Sequence, residues 1–170
     1  CQRALQDAAF EAGGDFDIEE DGIRFRRGGD VKPVVVETDV HPGFMTDWQQ
    51  PLIVALTQAH GTSTVHETVY ENRLGFTQAL NKMGADIVVH PEGIASPDRR
   101  VARRALEQAA VVNGPTPLHG ADVVVPDLRG GYSYVIAALA AQGTSTVRGV
   151  DIIRRGYEKF LDKLTALGAD

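Results

Sequence analysis

The chain has 170 residues with 17 basic and 23 acidic side chains, a formal net charge of −6, which excludes a general nucleic-acid binder because phosphate backbones demand a basic surface. Its 43% hydrophobic and 24% charged residues mark a globular chain, whose longest apolar runs, such as Val34–Val36 and Val123–Val125, are too short to cross a bilayer. One cysteine, Cys1, excludes an internal disulfide framework and a cysteine-based zinc site. With no apolar leader, the expected location is the cytoplasm.

In chain order, Leu5 to Ala12 carries a helical pattern that ends at Gly13-Gly14-Asp15. Residues 1–30 read as the tail of a repeat whose front is missing. A second unit, 31–120, opens with a β-branched strand at Val34–Thr38. A helix follows over Pro51–His60, with Pro51 in its first turn and Gly61 as its stop. Thr64–Tyr70 alternates like a half-buried strand. Phe76, Ala79, Leu80 and Met83 share one helix face, which Gly84 ends. Asp86–His90 is the next strand. An insert at 91–108 carries Arg99, Arg100, Arg103 and Arg104, two pairs on one helix face if helical. It reads as either a phosphate or partner grip, or a solvated surface excursion. The last unit, 121–170, repeats the pattern at Ala121–Val125, Leu128–Ala141, Ser145–Val150 and Tyr157–Leu167, and is truncated at its C-terminus. The small residues of Ala137–Ala141 predict a helix buried on all sides.

The repeat is visible in letters as well as in pattern. Gly61-Thr62-Ser63-Thr64-Val65 recurs as Gly143-Thr144-Ser145-Thr146-Val147, and Arg73 and Arg155 follow at the same distance. Thr46-Asp47-Trp48 aligns with Pro126-Asp127-Leu128. The fold class is therefore α/β (α+β): repeated βαβαβ-type units of strands packed around buried helices, all within one domain.

Four motifs stand in order on this framework: Phe44-Met45-Thr46-Asp47, Glu67-Thr68-Val69-Tyr70-Glu71-Asn72-Arg73, Asp127-Leu128-Arg129 and Arg155-Gly156-Tyr157. Together they resemble the UDP-N-acetylglucosamine 1-carboxyvinyltransferases, a family of enolpyruvyl transferases. The resemblance runs from Leu5 to Asp170 outside the arginine-rich insert and covers well under half of that family's length. It implies a two-domain enzyme of peptidoglycan precursor synthesis, with the active site in the cleft between domains. The reaction would move an enolpyruvyl group from phosphoenolpyruvate to the 3-hydroxyl of UDP-N-acetylglucosamine, through a tetrahedral adduct and with no metal or organic cofactor. This chain would be most of one domain, inactive without the other.

The resemblance also implies roles. Asp47 would contact the acceptor sugar and take its hydroxyl proton. Read from the residues alone it is an N-cap, as is Asp127. Val69 and Tyr70 would lie against the nucleotide-sugar, although by composition they are ordinary strand residues. Arg155, with Arg73 and Arg129, would grip phosphoenolpyruvate, whose carboxylate and phosphate suit guanidinium forks. The alternative for Arg155 is a surface ion pair with a carboxylate such as Asp151, and for Arg73 and Arg129 structural ion pairing. The family's Pro-Gly-Gly-Cys loop is absent, Arg154 replaces an aspartate, and Tyr132 and Tyr134 replace small residues. Two other readings stay open: an enzyme using shikimate 3-phosphate as acceptor, and a non-catalytic domain of the same fold. His41, His60, His66, His90 and His119 lack ligand spacing and read as strand-end and surface residues.

Overall fold

The computed structural model describes residues 2–94 and 108–169. The expected arginine pairs Arg99, Arg100, Arg103 and Arg104 lie outside the described residues. Helix α1 (Gln2–Glu11) leads into an antiparallel hairpin of β1 (Gly14–Ile18) and β2 (Ile23–Arg27). Then come β3 (Val35–Glu37), α2 (Thr46–Leu56), β4 (Gly61–Glu67), α3 (Thr77–Lys82), β5 (Asp86–His90) and β6 (Gln108–Gly114). The chain continues through β7 (Asp122–Val124), α4 (Leu128–Ala140), β8 (Thr146–Arg148), α5 (Val150–Arg154) and α6 (Phe160–Ala166).

Strands β3, β4, β6 and β5 lie side by side in that order, β3 parallel to β4 and β6 antiparallel to both its neighbours. A parallel pair needs a crossover. Helix α2 supplies it for β3 and β4, and α4 supplies it for the separate parallel pair of β7 and β8. Ile53 and Leu56 of α2, Val65 of β4, Leu80 and Met83 around α3, and Val112 of β6 are fully enclosed in the main core. A smaller cluster of Val125, Val135, Ile153 and Phe160 closes the far end.

The two crossover units match bond by bond. The Ser63 hydroxyl accepts from the Val34 N–H at 3.2 Å, and the Ser145 hydroxyl accepts from the Ala121 N–H at 3.4 Å. Val36 faces Val65 across β3 and β4 as Val123 faces Val147 across β7 and β8. The Thr38 N–H donates to the His66 carbonyl as the Val125 N–H donates to that of Arg148. The repeated letters therefore encode the same strand–helix–strand geometry.

Several sequence expectations shift. Helix α2 starts at Thr46, so Pro51 lies inside it rather than in its first turn, and it ends at Leu56, before Gly61. Proline removes one helical hydrogen bond there, and the burial of Ile53, Val54 and Leu56 outweighs the loss. Strand β6 is missing from the sequence pattern because Ala109 and Ala110, fully buried on its opposite faces, carry little β propensity. Val69 and Tyr70 follow β4 rather than lying in it. Tyr157–Leu167 is not one helix, because Lys159 adopts a left-handed φ of 49° just before α6. Helix α4 buries Ala137, but Leu139 and Ala140 are exposed, since the two-stranded β7–β8 sheet covers only one flank. His66 is buried in the sheet, against the expectation of a surface position.

Candidate functional site

The N-terminal ends of α2 and α4 meet, and the expected residues gather where they do. Met45 is the residue before α2, with no side-chain cap, and Asp47 lies in the helix's first turn. Asp47 is not the N-cap that its letters suggest. Its Oδ1 accepts from Arg73 Nη2 at 2.5 Å and lies 3.5 Å from Arg129 Nη1. Asp127 is a cap, accepting from the Arg129 and Gly130 N–H groups at 2.8 Å each. The match between Asp47 and Asp127 is thus two residues out of register: counted from the caps Met45 and Asp127, the counterpart of Asp47 is Arg129. The two counterparts face each other as an ion pair.

Arg73 is held closely. Its side chain is 16% exposed, against 51% for Arg129, and its guanidinium lies over the Tyr70 ring, 5.4 Å from the centroid. Such a cation–π contact leaves the outer edge of Tyr70 open to a ligand, and Tyr70 is indeed exposed. The buried Arg73 Nε has no hydrogen-bond partner among the described residues. Val69 is half-buried beside them. Two cations set against one carboxylate, where the N-terminal ends of two helices meet, make a corner suited to an anion.

Arg155, the third arginine expected at the site, stands apart from the Asp47 cluster. It caps the C-terminal end of α5, is exposed, and pairs with no carboxylate among the described residues. Asp151 lies instead 3.5 Å from Arg154. The link to the cluster runs through Tyr157, two residues on. Burial, then the neighbouring Tyr132, then the charge of Asp47 push the Tyr157 hydroxyl up from its ordinary range, so it stays a protonated donor. Tyr132 stacks on it at 4.9 Å with the rings 13° apart, and Phe160 packs against the edge of Tyr132. Tyr132, one of the two tyrosines expected to stand where the resembled family has small residues, therefore packs against the Arg155-Gly156-Tyr157 turn.

One residue escaped sequence reasoning. Glu67, at the end of β4, is fully buried, and its carboxylate accepts from five donors. Oε1 takes the Thr38 hydroxyl at 3.0 Å, the Val69 N–H at 2.7 Å and the Tyr70 N–H at 3.0 Å. Oε2 takes the Thr46 hydroxyl at 2.6 Å and the Gln49 amide. Its sequence signal is an acid in the middle of the expected strand Thr64–Tyr70, where acids are rarely buried without partners. A separate groove of about 330 Å³ between Asn72, Gln78, Asn81, Ile87 and Gln108 is not lined by Asp47, Glu67, Val69, Tyr70, Arg73, Arg129 or Arg155.

Comparison with known proteins places these features in context. A family model described as EPSP synthase (3-phosphoshikimate 1-carboxyvinyltransferase) matches residues 2–164. The UDP-N-acetylglucosamine 1-carboxyvinyltransferase of Protochlamydia amoebophila is 50% identical over 161 residues, 94% of this chain and 35% of that protein. The enzyme of the same name from Chlamydia abortus is 46% identical over 159 residues, 92% of this chain and 36% of that protein. The chain thus spans about a third of the length of these curated relatives. Among solved structures, the enolpyruvyl transferase NikO from Streptomyces tendae superposes with a TM-score of 0.82 at 27% identity, over 99% of this chain and 35% of that one. EPSP synthase from Acinetobacter baumannii, at 14% identity and a TM-score of 0.55 over 85% of this chain and 31% of that one, shares the fold.

Proposed function

The chain belongs to the EPSP synthase family, and from that premise we propose that it forms part of an enolpyruvyl transferase whose acceptor is UDP-N-acetylglucosamine and whose donor is phosphoenolpyruvate. The observation that carries this reading is the Asp47 carboxylate held between Arg73 and Arg129 where two helix ends meet. The names of relatives 46–50% identical support the choice of acceptor. Peptidoglycan precursor synthesis, in the cytoplasm and with a second domain completing the cleft, is part of the same proposal. No helix among the described residues is long and apolar enough to cross a membrane.

In this mechanism the acceptor's 3-hydroxyl oxygen bonds to C2 of phosphoenolpyruvate while C3 gains a proton. The tetrahedral adduct then loses a C3 proton and expels phosphate, leaving the enol ether. Both arginines engage Oδ1 of Asp47, so Oδ2 is the oxygen that takes the hydroxyl proton, in concert with attack. Arg73 and Arg129 orient that base. Arg155, whose fork has no carboxylate partner among the described residues, meets the donor's carboxylate or phosphate. Val69 and Tyr70 flank the acceptor. The test is phosphate release by the whole enzyme from phosphoenolpyruvate with either UDP-N-acetylglucosamine or shikimate 3-phosphate. Release with the nucleotide-sugar alone supports the proposal, and release with shikimate 3-phosphate alone overturns it.

A further inference from the structure

We infer that Glu67 is a positioning residue: its buried carboxylate fixes the Asp47 end of α2 and the Val69–Tyr70 turn relative to one another, and so sets the acceptor half of the site. The inference rests on the proposed function for its ligand and on the geometry for its action. Glu67 binds three separate segments at once. Thr38 follows β3, Thr46 and Gln49 belong to α2, and Val69 and Tyr70 form the turn after β4. Thr38 ties the turn further: its hydroxyl accepts from the Thr68 N–H at 3.0 Å, and its carbonyl accepts from the Thr68 hydroxyl at 2.5 Å. Asp47 is the next residue after Thr46, and Tyr70 is the aromatic face beneath Arg73.

The sister unit shows that the fold does not require this carboxylate. At the equivalent places of β7–α4–β8 stand Val125 for Thr38, Leu128 for Thr46, Gly131 for Gln49 and Gly149 for Glu67. Every polar member is gone, yet the Ser145 bond, the parallel register and the Val125 N–H bond to Arg148 remain. Gly149 sits at a φ of 78°, where a glutamate side chain would be strained. The network is therefore an addition to the scaffold, and it lies on the unit that holds Asp47.

Three variants of the whole enzyme test this. Glu67→Leu removes all five acceptances. Glu67→Gln keeps an oxygen toward the Val69 and Tyr70 N–H groups, while the Thr46 hydroxyl and the Gln49 amide, whose buried Oε1 has no partner among the described residues, can turn to meet the new NH₂. Thr46→Val cuts only the α2 arm and keeps the side chain's shape. Glu67→Leu is expected to raise KM for UDP-N-acetylglucosamine roughly tenfold or more with KM for phosphoenolpyruvate within about twofold. Glu67→Gln should recover most of that loss, and Thr46→Val should show a smaller rise confined to the same substrate. Amide exchange at Val69 and Tyr70 should quicken about tenfold in Glu67→Leu and stay slow in Glu67→Gln. Unchanged exchange in Glu67→Leu, equal shifts in both KM values, or a Gln variant no better than Leu overturns the inference. A wild-type enzyme inert toward this substrate pair, with the exchange pattern intact, defeats the proposed function and leaves Glu67's anchoring supported.

Discussion

The β3–α2–β4 and β7–α4–β8 units are two answers to one backbone problem. Both pass a parallel crossover through a helix, and both use a serine hydroxyl to receive the N–H two residues before Val36 or Val123. They differ in what fills the gap between helix and strand end. The first fills it with Thr38, Thr46 and Gln49 hydrogen-bonded to the Glu67 carboxylate, the second with Val125, Gly131 and Ile153 in apolar contact. A buried network fixes directions that apolar packing leaves soft. The directed unit carries Asp47. The apolar unit offers Arg155, whose fork has no carboxylate partner among the described residues, and it holds the neighbouring turn with stacked rings instead. One scaffold thus carries two different fittings, one that directs the carboxylate proposed as the base and one that presents a cation.

The sharpest way to break this comparison is to make the same substitution in both units. Asp47→Asn removes the proposed proton acceptor, and general-base catalysis supplies roughly 10²–10⁴-fold, so turnover by the whole enzyme should fall by that order. Asp47 caps nothing, its own side chain is half-exposed, and asparagine keeps an oxygen that can accept from Arg73, so stability should change by about 1 kcal/mol or less. Asp127→Asn should leave turnover and melting temperature near wild type, because asparagine caps a helix as well as aspartate does. Steady-state kinetics with thermal melts decide it. An active Asp47→Asn enzyme beside a dead Asp127→Asn enzyme would reverse the assignment of the two units.

A second contrast separates the two arginines that grip Asp47. Arg73→Met loses a nearly buried charge-assisted hydrogen bond and the contact with Tyr70, for an expected loss of about 1–3 kcal/mol in chemical denaturation. Arg129→Met breaks only an exposed pair at 3.5 Å, worth roughly 0–1 kcal/mol. Equal losses would mean that burial at Arg73 does not distinguish the two.

Much of this was legible in the sequence. The repeated Gly-Thr-Ser-Thr-Val marked the start of β4 and the approach to β8, because a glycine turn followed by β-branched residues admits few structures. Phe76, Leu80 and Met83 fixed the buried face around α3. The residues Asp47, Arg73, Arg129 and Tyr70 do converge. What the letters hid depends on counting through unequal loops. The segment from Thr38 to Met45 is longer than its counterpart from Val125 to Asp127, so matching aspartates aligned a first-turn residue with a cap. Strand β6 was hidden because Ala109 and Ala110 fit a crowded sheet centre by smallness, a property that shows only once the neighbouring strands are in place. Glu67 stands within a motif without marking itself there, since five donors from three segments leave no periodic trace.

The smallest expected effect lies on the β7–β8 pair itself. Asp122 accepts from Arg148 through both oxygens, with Nη2 at 2.7 Å from Oδ2. In the sister unit the positions belong to Val35 and His66, where no such pair forms. The Arg148 hydrogen bond holds the Asp122 carboxyl below the ordinary range, partly opposed by the desolvation it suffers. In the unfolded chain Asp122 takes up its proton near pH 3.9 or so, whereas in the folded chain it does so at lower pH. Between those two points the unfolded state binds more protons, so acidification favours unfolding there, and the pair's contribution is complete only above the unfolded value. Both side chains are more than half exposed, which keeps the effect small and sensitive to salt. Melting temperatures of wild type and Asp122→Asn should therefore differ slightly at neutral pH and low salt. The gap should close as the pH falls through the folded value, and shrink at about 1 M salt. A gap that widens with acid would mean that the Asp122 carboxyl is favoured in its protonated form, and that the β7–β8 pair is held by its strand register alone.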